Sequence, residues 1–364
     1  MRARTIFAGF AIAGAGLVFL VILFRDEPPG ISANEREERA ASGEDRGAPA
    51  PDVGREEERV SETEEESETP VSYRLVSSRR LGYGDGPGEV GIVDDPGHDI
   101  AGPESFSVDA NGNFVVCDTV NQRIQIVNTE SGNHSEVALP ADAVPADLAV
   151  HASGTLLAYD YAGRLDHFDE AGNRIGSVAV DAARWDVRME LHIDGAEVRM
   201  RDVDQREHLL GIVEDGRLRE ITREELDRNG TVSGIRGASG RTYRTELERW
   251  SRGRVEVAHL DSVTRTEVDL EVPGIVSLRY LNEDREGNFY MQVERVEAEE
   301  VFLEVHRFDA AGEPEAVVGI PENDYHHWTV KLLSVDDRGH IYQALPQPDG
   351  MRLNVFAPEV AGGG

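Results

Sequence analysis

GPESFSVDANGNFVVCDTVNQRIQIVNTESG, residues 102–132, reads as three short strands joined by two turns. Phe106 and Val108 alternate with Ser105 and Ser107, the period-two pattern of a strand with one buried face. Asp109-Ala-Asn-Gly112 carries turn chemistry, because Asn and Gly tolerate the positive φ of a tight reversal. Phe114 to Cys117 is an apolar run, Asp118 to Gln122 a polar break, and Arg123-Ile-Gln-Ile126 alternates again. Strands this short leave an apolar face uncovered, so they need copies of themselves or a second layer.

The chain supplies copies. The turn glycine Gly112 has counterparts at Gly154, Gly195, Gly240, Gly287 and Gly339, at spacings of 42, 41, 45, 47 and 52 residues. Independently, an arginine just before an alternating strand recurs at Arg123, Arg164, Arg206, Arg254 and Arg352, and only the fifth unit departs, with Val301-Phe-Leu-Glu-Val305. A fourth strand follows, as in Asn173–Val180 and Glu315–Ile320. A period of this size with several short strands per unit is that of a propeller blade. The sixth unit ends after Arg352–Phe356, with too little chain left for a fourth strand, while Tyr73–Gly82 is an orphan strand with no hairpin before it. Pairing the two seals the ring and removes two exposed edges. The expected fold over 71–364 is therefore all-β, a six-bladed β-propeller of four-stranded antiparallel blades whose N-terminal strand closes the last blade.

Ahead of this domain lie two segments of different character. Thr5–Phe24 is a 20-residue run without a charge, long enough as a helix to span a bilayer core of about 30 Å. Arg2 and Arg4 precede it, whereas Arg25 is followed at once by Asp26 and Glu27, which keeps the N-terminus in the cytoplasm and exports the rest. The rival reading is a cleaved signal peptide with a small-residue site at Ala13-Gly-Ala15, but cleavage there would leave the apolar Leu17–Phe24 on the mature protein. An uncleaved transmembrane signal-anchor over residues 1–25 is the expectation. Residues 26–70 hold 16 acids and 5 arginines with almost no apolar residue, the composition of a disordered tether.

Composition narrows the function. The formal net charge of -33 opposes binding of nucleic acid, which needs clustered Lys and Arg. Removing the tether's -11 and the three arginines around the anchor leaves the folded domain at -25, which suits a basic partner as well as solubility. Cys117, the one cysteine, precludes an intrachain disulfide and reads as a small buried hydrophobe. No Gly-x-Ser-x-Gly elbow, phosphate loop or His-Glu-x-x-His helix appears.

Leu81-Gly-Tyr-Gly-Asp-Gly-Pro-Gly-Glu-Val90, then Asp109-Ala-Asn-Gly-Asn-Phe-Val-Val116 and Asp118-Thr-Val-Asn-Gln-Arg-Ile-Gln-Ile126, resemble the NHL-type repeat of six-bladed β-propellers. The bacterial extracytoplasmic propellers whose opening strand ends in a Gly-Pro-Gly-Glu turn are the most similar group. The resemblance implies a fold rather than an activity, because such propellers include binding platforms, sensors and a few metal-dependent lyases and lactonases. It also implies a place for a site, where connections between blades gather around one mouth of the central channel.

Among those connections, Pro321–Trp328 is richest in binding-type residues, with Tyr325, His326, His327 and Trp328. Trp185 and Asp186 belong to a second connection, and His98 and Asp99 to a third that ring closure would bring next to His326 and His327. These eight residues are the candidate ligand-binding set. Neighbouring residues on an extended chain point apart, so His326 and His327 do not suit one ion, and neither a metal nor a cofactor nor a catalytic residue is expected. Asp118, Asn121 and Arg123 are expected to fasten a turn.

The expected function is a membrane-tethered, extracytoplasmic, non-catalytic module that binds or scaffolds a protein, peptide or glycan, held in the lipid bilayer by its N-terminal helix. The competing expectation is a metal-dependent hydrolase or lyase at the channel mouth. A third is a structural spacer.

Overall fold

The computed structural model describes residues 7–9, 19–21 and 71–359, the last apart from 161, 181–189, 203, 204, 250, 260–264, 322–325 and 328. The chain divides into two units, Met1–Glu68 and Thr69–Gly364. In the first, two three-residue strands, Phe7–Gly9 and Phe19–Val21, pair antiparallel, and the expected anchor and acidic tether otherwise lie outside the described residues. No helix among the described residues is long and apolar enough to cross a membrane.

The second unit is a ring of six antiparallel sheets. Blade 1 comprises Phe106–Val108, Phe114–Asp118, Arg123–Val127 and His134–Ala138. Blade 2 comprises Pro145–Val150, Leu156–Asp160, Arg164–Phe168 and Arg174–Ala179. Blades 3 and 4 begin at Glu190–Asp194 and Ile235–Arg236, blade 5 at Ile275–Glu283 and blade 6 at Leu333–Val335. Every inner hairpin turns at the expected glycine. Gly112 adopts φ +80°, and Asp109 caps its turn by accepting the N–H groups of Asn111 and Asn113 at 2.9 and 2.8 Å. Asp284 and Asp336 repeat that cap in blades 5 and 6.

The core lies between blades. Phe114–Asp118 and Leu156–Asp160 are buried along their whole length, because the two faces of a middle strand pack on different neighbours. One apolar cluster joins Phe106 and Phe114 of blade 1 to Tyr342, Met351 and Leu353 of blade 6, and another joins Leu157 and Leu165 of blade 2 to Val198 and Met200 of blade 3.

Ring closure takes the expected form. Ser72–Tyr83 pairs antiparallel with Gly350–Glu359, setting Leu81 opposite Met351 and Leu75 opposite Phe356. Leu81 is buried in the seam between blades 6 and 1. At the strand's other end the Tyr73 hydroxyl donates to the Tyr290 hydroxyl of blade 5 at 3.2 Å.

Blade 3 departs from the repeat. Its outer edge is built from two pieces, Arg217–Arg219 and Thr231–Ser233, both paired with Arg206–Glu214, and a helix over Arg223–Asn229 is spliced between them. Thr222 and Glu225 form its capping box, with Glu225 N–H donating to Thr222 Oγ1 at 3.3 Å and Thr222 N–H to Glu225 Oε2 at 2.8 Å. Asn229–Val232 is thus the end of a helix and part of a strand.

In blade 5 the hairpin between Phe289–Glu297 and Glu300–Phe308 turns through Ala298 and Glu299 at φ 50° and 72°, although neither is a residue that favours the left-handed region. Ala298→Asn combined with Glu299→Gly should raise stability by about 0.5–2 kcal/mol, read from the denaturant midpoint. Leu81→Ala should cost about 2–5 kcal/mol and lower the cooperativity of unfolding as the seam loosens. A thermal scan indistinguishable from the parent would contradict the closure role.

Candidate functional site

Asp118 ends the second strand of blade 1 with its carboxylate fully buried. Its Oδ1 accepts the Gly91 N–H at 2.8 Å, and its Oδ2 accepts from Asn121 Nδ2, Arg123 Nε and Gln125 Nε2 at 2.9, 2.8 and 2.8 Å. Arg123 then donates to the carbonyls of Asp85, Gly86 and Glu89 at 3.2, 3.0 and 2.7 Å. The Gly84–Glu89 turn that leaves the closing strand is therefore clamped to blade 1, and this cluster fastens structure as expected. Blade 2 repeats the contact with Asp160 and Arg164 at 3.1 Å. Glu283 plays a similar part between blades 4 and 5, accepting from Arg241 Nε, Ser239 Oγ and Tyr243 Oη at 2.8, 2.8 and 3.0 Å.

The inner strands enclose a cavity of about 730 Å³ on the channel axis. At its inner end an ion pair joins blades 6 and 2, Lys331 Nζ to Asp147 Oδ1 at 3.3 Å, and Lys331 also donates to the Leu191 carbonyl of blade 3 at 3.4 Å. Asp147 accepts the N–H groups of Leu148 and Leu191 at 2.7 and 2.5 Å and the Ser105 hydroxyl. Burial holds the Lys331 amine below its ordinary range despite Asp147. Beside it Glu190 pairs with Arg201 at 3.4 Å and with Arg279, and Arg201 donates to the Tyr280 carbonyl at 2.8 Å. Burial depresses Arg201 as well, against the opposing pull of Glu207. Glu207 is fully buried; desolvation pushes its carboxyl up, but His192 at 3.0 Å and Arg201 outweigh it and leave the group below its usual range.

Of the eight expected binding residues, Tyr325, Trp328, Trp185 and Asp186 lie outside the described residues. His98 and Asp99 are exposed, His326 is half-buried and His327 is buried. The connections on either side of blade 6 do meet. A methyl added at Gly102 would fall 2.6 Å from the His327 ring, Val330 N–H donates to Glu104 O at 2.5 Å, and Tyr83 packs on both histidine rings at 5.6 and 6.3 Å. None of the four described candidates lines the channel cavity. No group of three His, Cys, Asp or Glu among the described residues could hold a metal. Cys117 is fully buried, and desolvation pushes its thiol up to about 12, which leaves it an unreactive hydrophobe.

The sequence reading missed the channel residues. Glu190 starts an inner strand, Lys331 stands two residues before one and Asp147 is the third residue of one, and no local motif marks such positions. A charge near the start of an inner strand was the available signal.

Six antiparallel four-stranded sheets closed by an N-terminal strand make this chain a six-bladed β-propeller. Residues 101–127, the inner strands of blade 1, match the NHL repeat family, so the chain carries an NHL repeat. Among solved structures it is similar to virginiamycin B lyase from Staphylococcus aureus, at 12% identity and a TM-score of 0.42 over 79% of this chain and 99% of that one. It is also similar to BamB from Moraxella catarrhalis, at 12% identity and a TM-score of 0.37 over 79% and 100% of the two chains. A protein from Bacteroides thetaiotaomicron aligns at 11% identity and a TM-score of 0.46 over 78% and 76%. No activity carries over from these likenesses. No curated protein matches the chain.

Arg123→Ala, which strands the buried Asp118 charge, should cost about 3–5 kcal/mol by chemical denaturation. Asp336 is mostly buried, and desolvation raises its carboxyl, but His340 and Arg338 outweigh that and hold it well below the usual carboxylate range. A carboxylate depressed in the folded state stabilises above its unfolded pKa near 4, and the contribution fades as pH falls through the folded value. Asp336→Asn should therefore flatten the acid limb of stability below about pH 4. An unchanged acid limb would exclude it as a contributor.

Proposed function

We propose that this propeller is a non-catalytic binding or scaffold module, tethered to the cytoplasmic membrane by Thr5–Phe24 and held outside the cytoplasm at the end of its acidic linker. The partner is a protein, peptide or glycan, met at the loop face around residues 96–103 and 321–330. The observation that carries this reading is the junction of those two connections, where the His327 ring sits against Gly102, in the connection that also carries the exposed His98 and Asp99. A surface assembled from two blades and braced by ring closure is pre-organised, which lowers the entropic cost of binding. The use of the buried Asp118, Asp147 and Glu283 charges supports it too, since each holds blades together. The charge asymmetry around Thr5–Phe24 and the absence of any charge within it support the tethered topology.

Proximity labelling from the full chain in its native cell tests the reading. The parent should label a defined set of extracytoplasmic proteins, and His98→Ser with residues 325–328 replaced by serine should lose most of that set. Equal labelling by both forms would overturn the loop-face assignment. Protease added outside cells whose outer layers have been opened should degrade the propeller, and its protection would overturn the topology.

A further inference from the structure

We propose that the axial cavity binds a small neutral polyhydroxyl molecule, a mono- or short oligosaccharide, entering from the inner-hairpin face of the ring. This goes beyond the loop-face reading, because it concerns the other end of the inner strands. The cavity of about 730 Å³ falls within the roughly 300–1,000 Å³ of small-molecule sites. Its wall runs from the hairpin turns at Ala110, Gly195 and Ala238 inward to Lys331 and Glu190. The Lys331 to Asp147 pair stands at that inner end. The site is therefore a well reached from the turns.

The chemistry of the wall selects the ligand. Its charges are paired with protein groups: Glu190 with Arg201 and Arg279, Arg236 with Glu197 at 3.3 Å and Asp194 at 4.0 Å, and Asp337 with Arg285 at 3.9 Å, while the His192 ring faces Glu207 at 3.0 Å. The rim carboxylates of Asp109 and Asp336 are spent on their own turns, each accepting backbone N–H groups from two and four residues further on. A charged ligand would meet no unpaired counter-ion here, and would lose its hydration on entering.

A neutral molecule that both donates and accepts meets a better match. The hydroxyls of Ser107 and Ser334 line the well and make no side-chain hydrogen bond among the described residues. Asn282 gives its Nδ2 to the Val335 carbonyl at 2.7 Å and keeps its amide oxygen for an incoming hydroxyl. Lys331 uses two of its three N–H groups within the protein. Between these polar groups, half-buried Val108, Val150, Ile193 and Leu281 offer aliphatic surface for the C–H face of a sugar ring.

Saturation-transfer NMR on the full chain, in micelles of the sugar-free detergent lauryldimethylamine oxide, tests this. The probes are maltotriose, trehalose and N,N′-diacetylchitobiose, with glutamate and spermidine as charged controls. At least one saccharide should receive saturation and neither control should. Ser107→Trp, which fills the well, should weaken that binding at least tenfold, and Ser334→Ala should weaken it by about threefold to tenfold, the loss of one neutral hydrogen bond. Ser334→Ala removes an unengaged hydroxyl and carries the test alone if Ser107→Trp does not fold. His326→Ala, on the loop face, should leave saccharide binding unchanged, so failure here is distinct from failure of the loop-face reading. No transfer to any saccharide, transfer undiminished in both serine variants, or a stronger response to spermidine or glutamate would overturn the proposal.

Discussion

Everything in this ring depends on one strand pairing, in which residues from the start of the domain complete the sheet begun at its end. Without Ser72–Tyr83, the third strand of blade 6 would present an unpaired ladder of backbone groups. The seam against blade 1 would also lose Leu81, a buried member of the cluster that includes Phe106, Phe114 and Met351. The pairing is reinforced where the chain leaves it. Asp118 and Arg123 hold the Gly84–Glu89 turn onto blade 1, so the closing strand is bonded on one side to blade 6 and continues on the other into a turn that blade 1 grips. A repeat fold built of individually marginal sheets gains rigidity by such closure, because each blade then has two neighbours.

Buried ionisable groups divide along the same lines. Asp118, Glu283 and Asp284 sit at blade edges and accept several hydrogen bonds each, whereas Asp147, Glu190 and Lys331 meet on the axis. Burial of a charge is tolerable only with a partner, and every one of these has one. The axial pairs stand at the inner end of the channel cavity. Function is then left to surfaces that the fastening groups hold still.

The repeat was legible because its turns are chemically demanding. Gly112, Gly154 and Gly339 need the left-handed region, and that need leaves a mark at a fixed spacing. The closing strand was legible for a related reason: Tyr73–Gly82 reads as a strand with no hairpin before it to pair with. Blade 3 was less transparent. Thr222-Arg-Glu-Glu225 is a local helix-start signal, but a seven-residue helix spliced into an outer edge breaks the strand period around it. Ala298 and Glu299 carried no turn signal at all, since the long hairpin they join imposes a backbone that their side chains do not favour.

Local chemistry therefore determined the number of blades, the hairpin turns, the partner of the orphan strand and the fastening role of Asp118 and Arg123, because each depends on residues within one repeat or on its count. Tertiary structure alone decided which side chains face one another across the axis. Asp147, Glu190 and Lys331 come from three different blades, and their meeting depends on the diameter and stagger of the whole ring, which no single repeat encodes. The same holds for His327 against Gly102, a contact between residues far apart in sequence that exists only once the circle is shut.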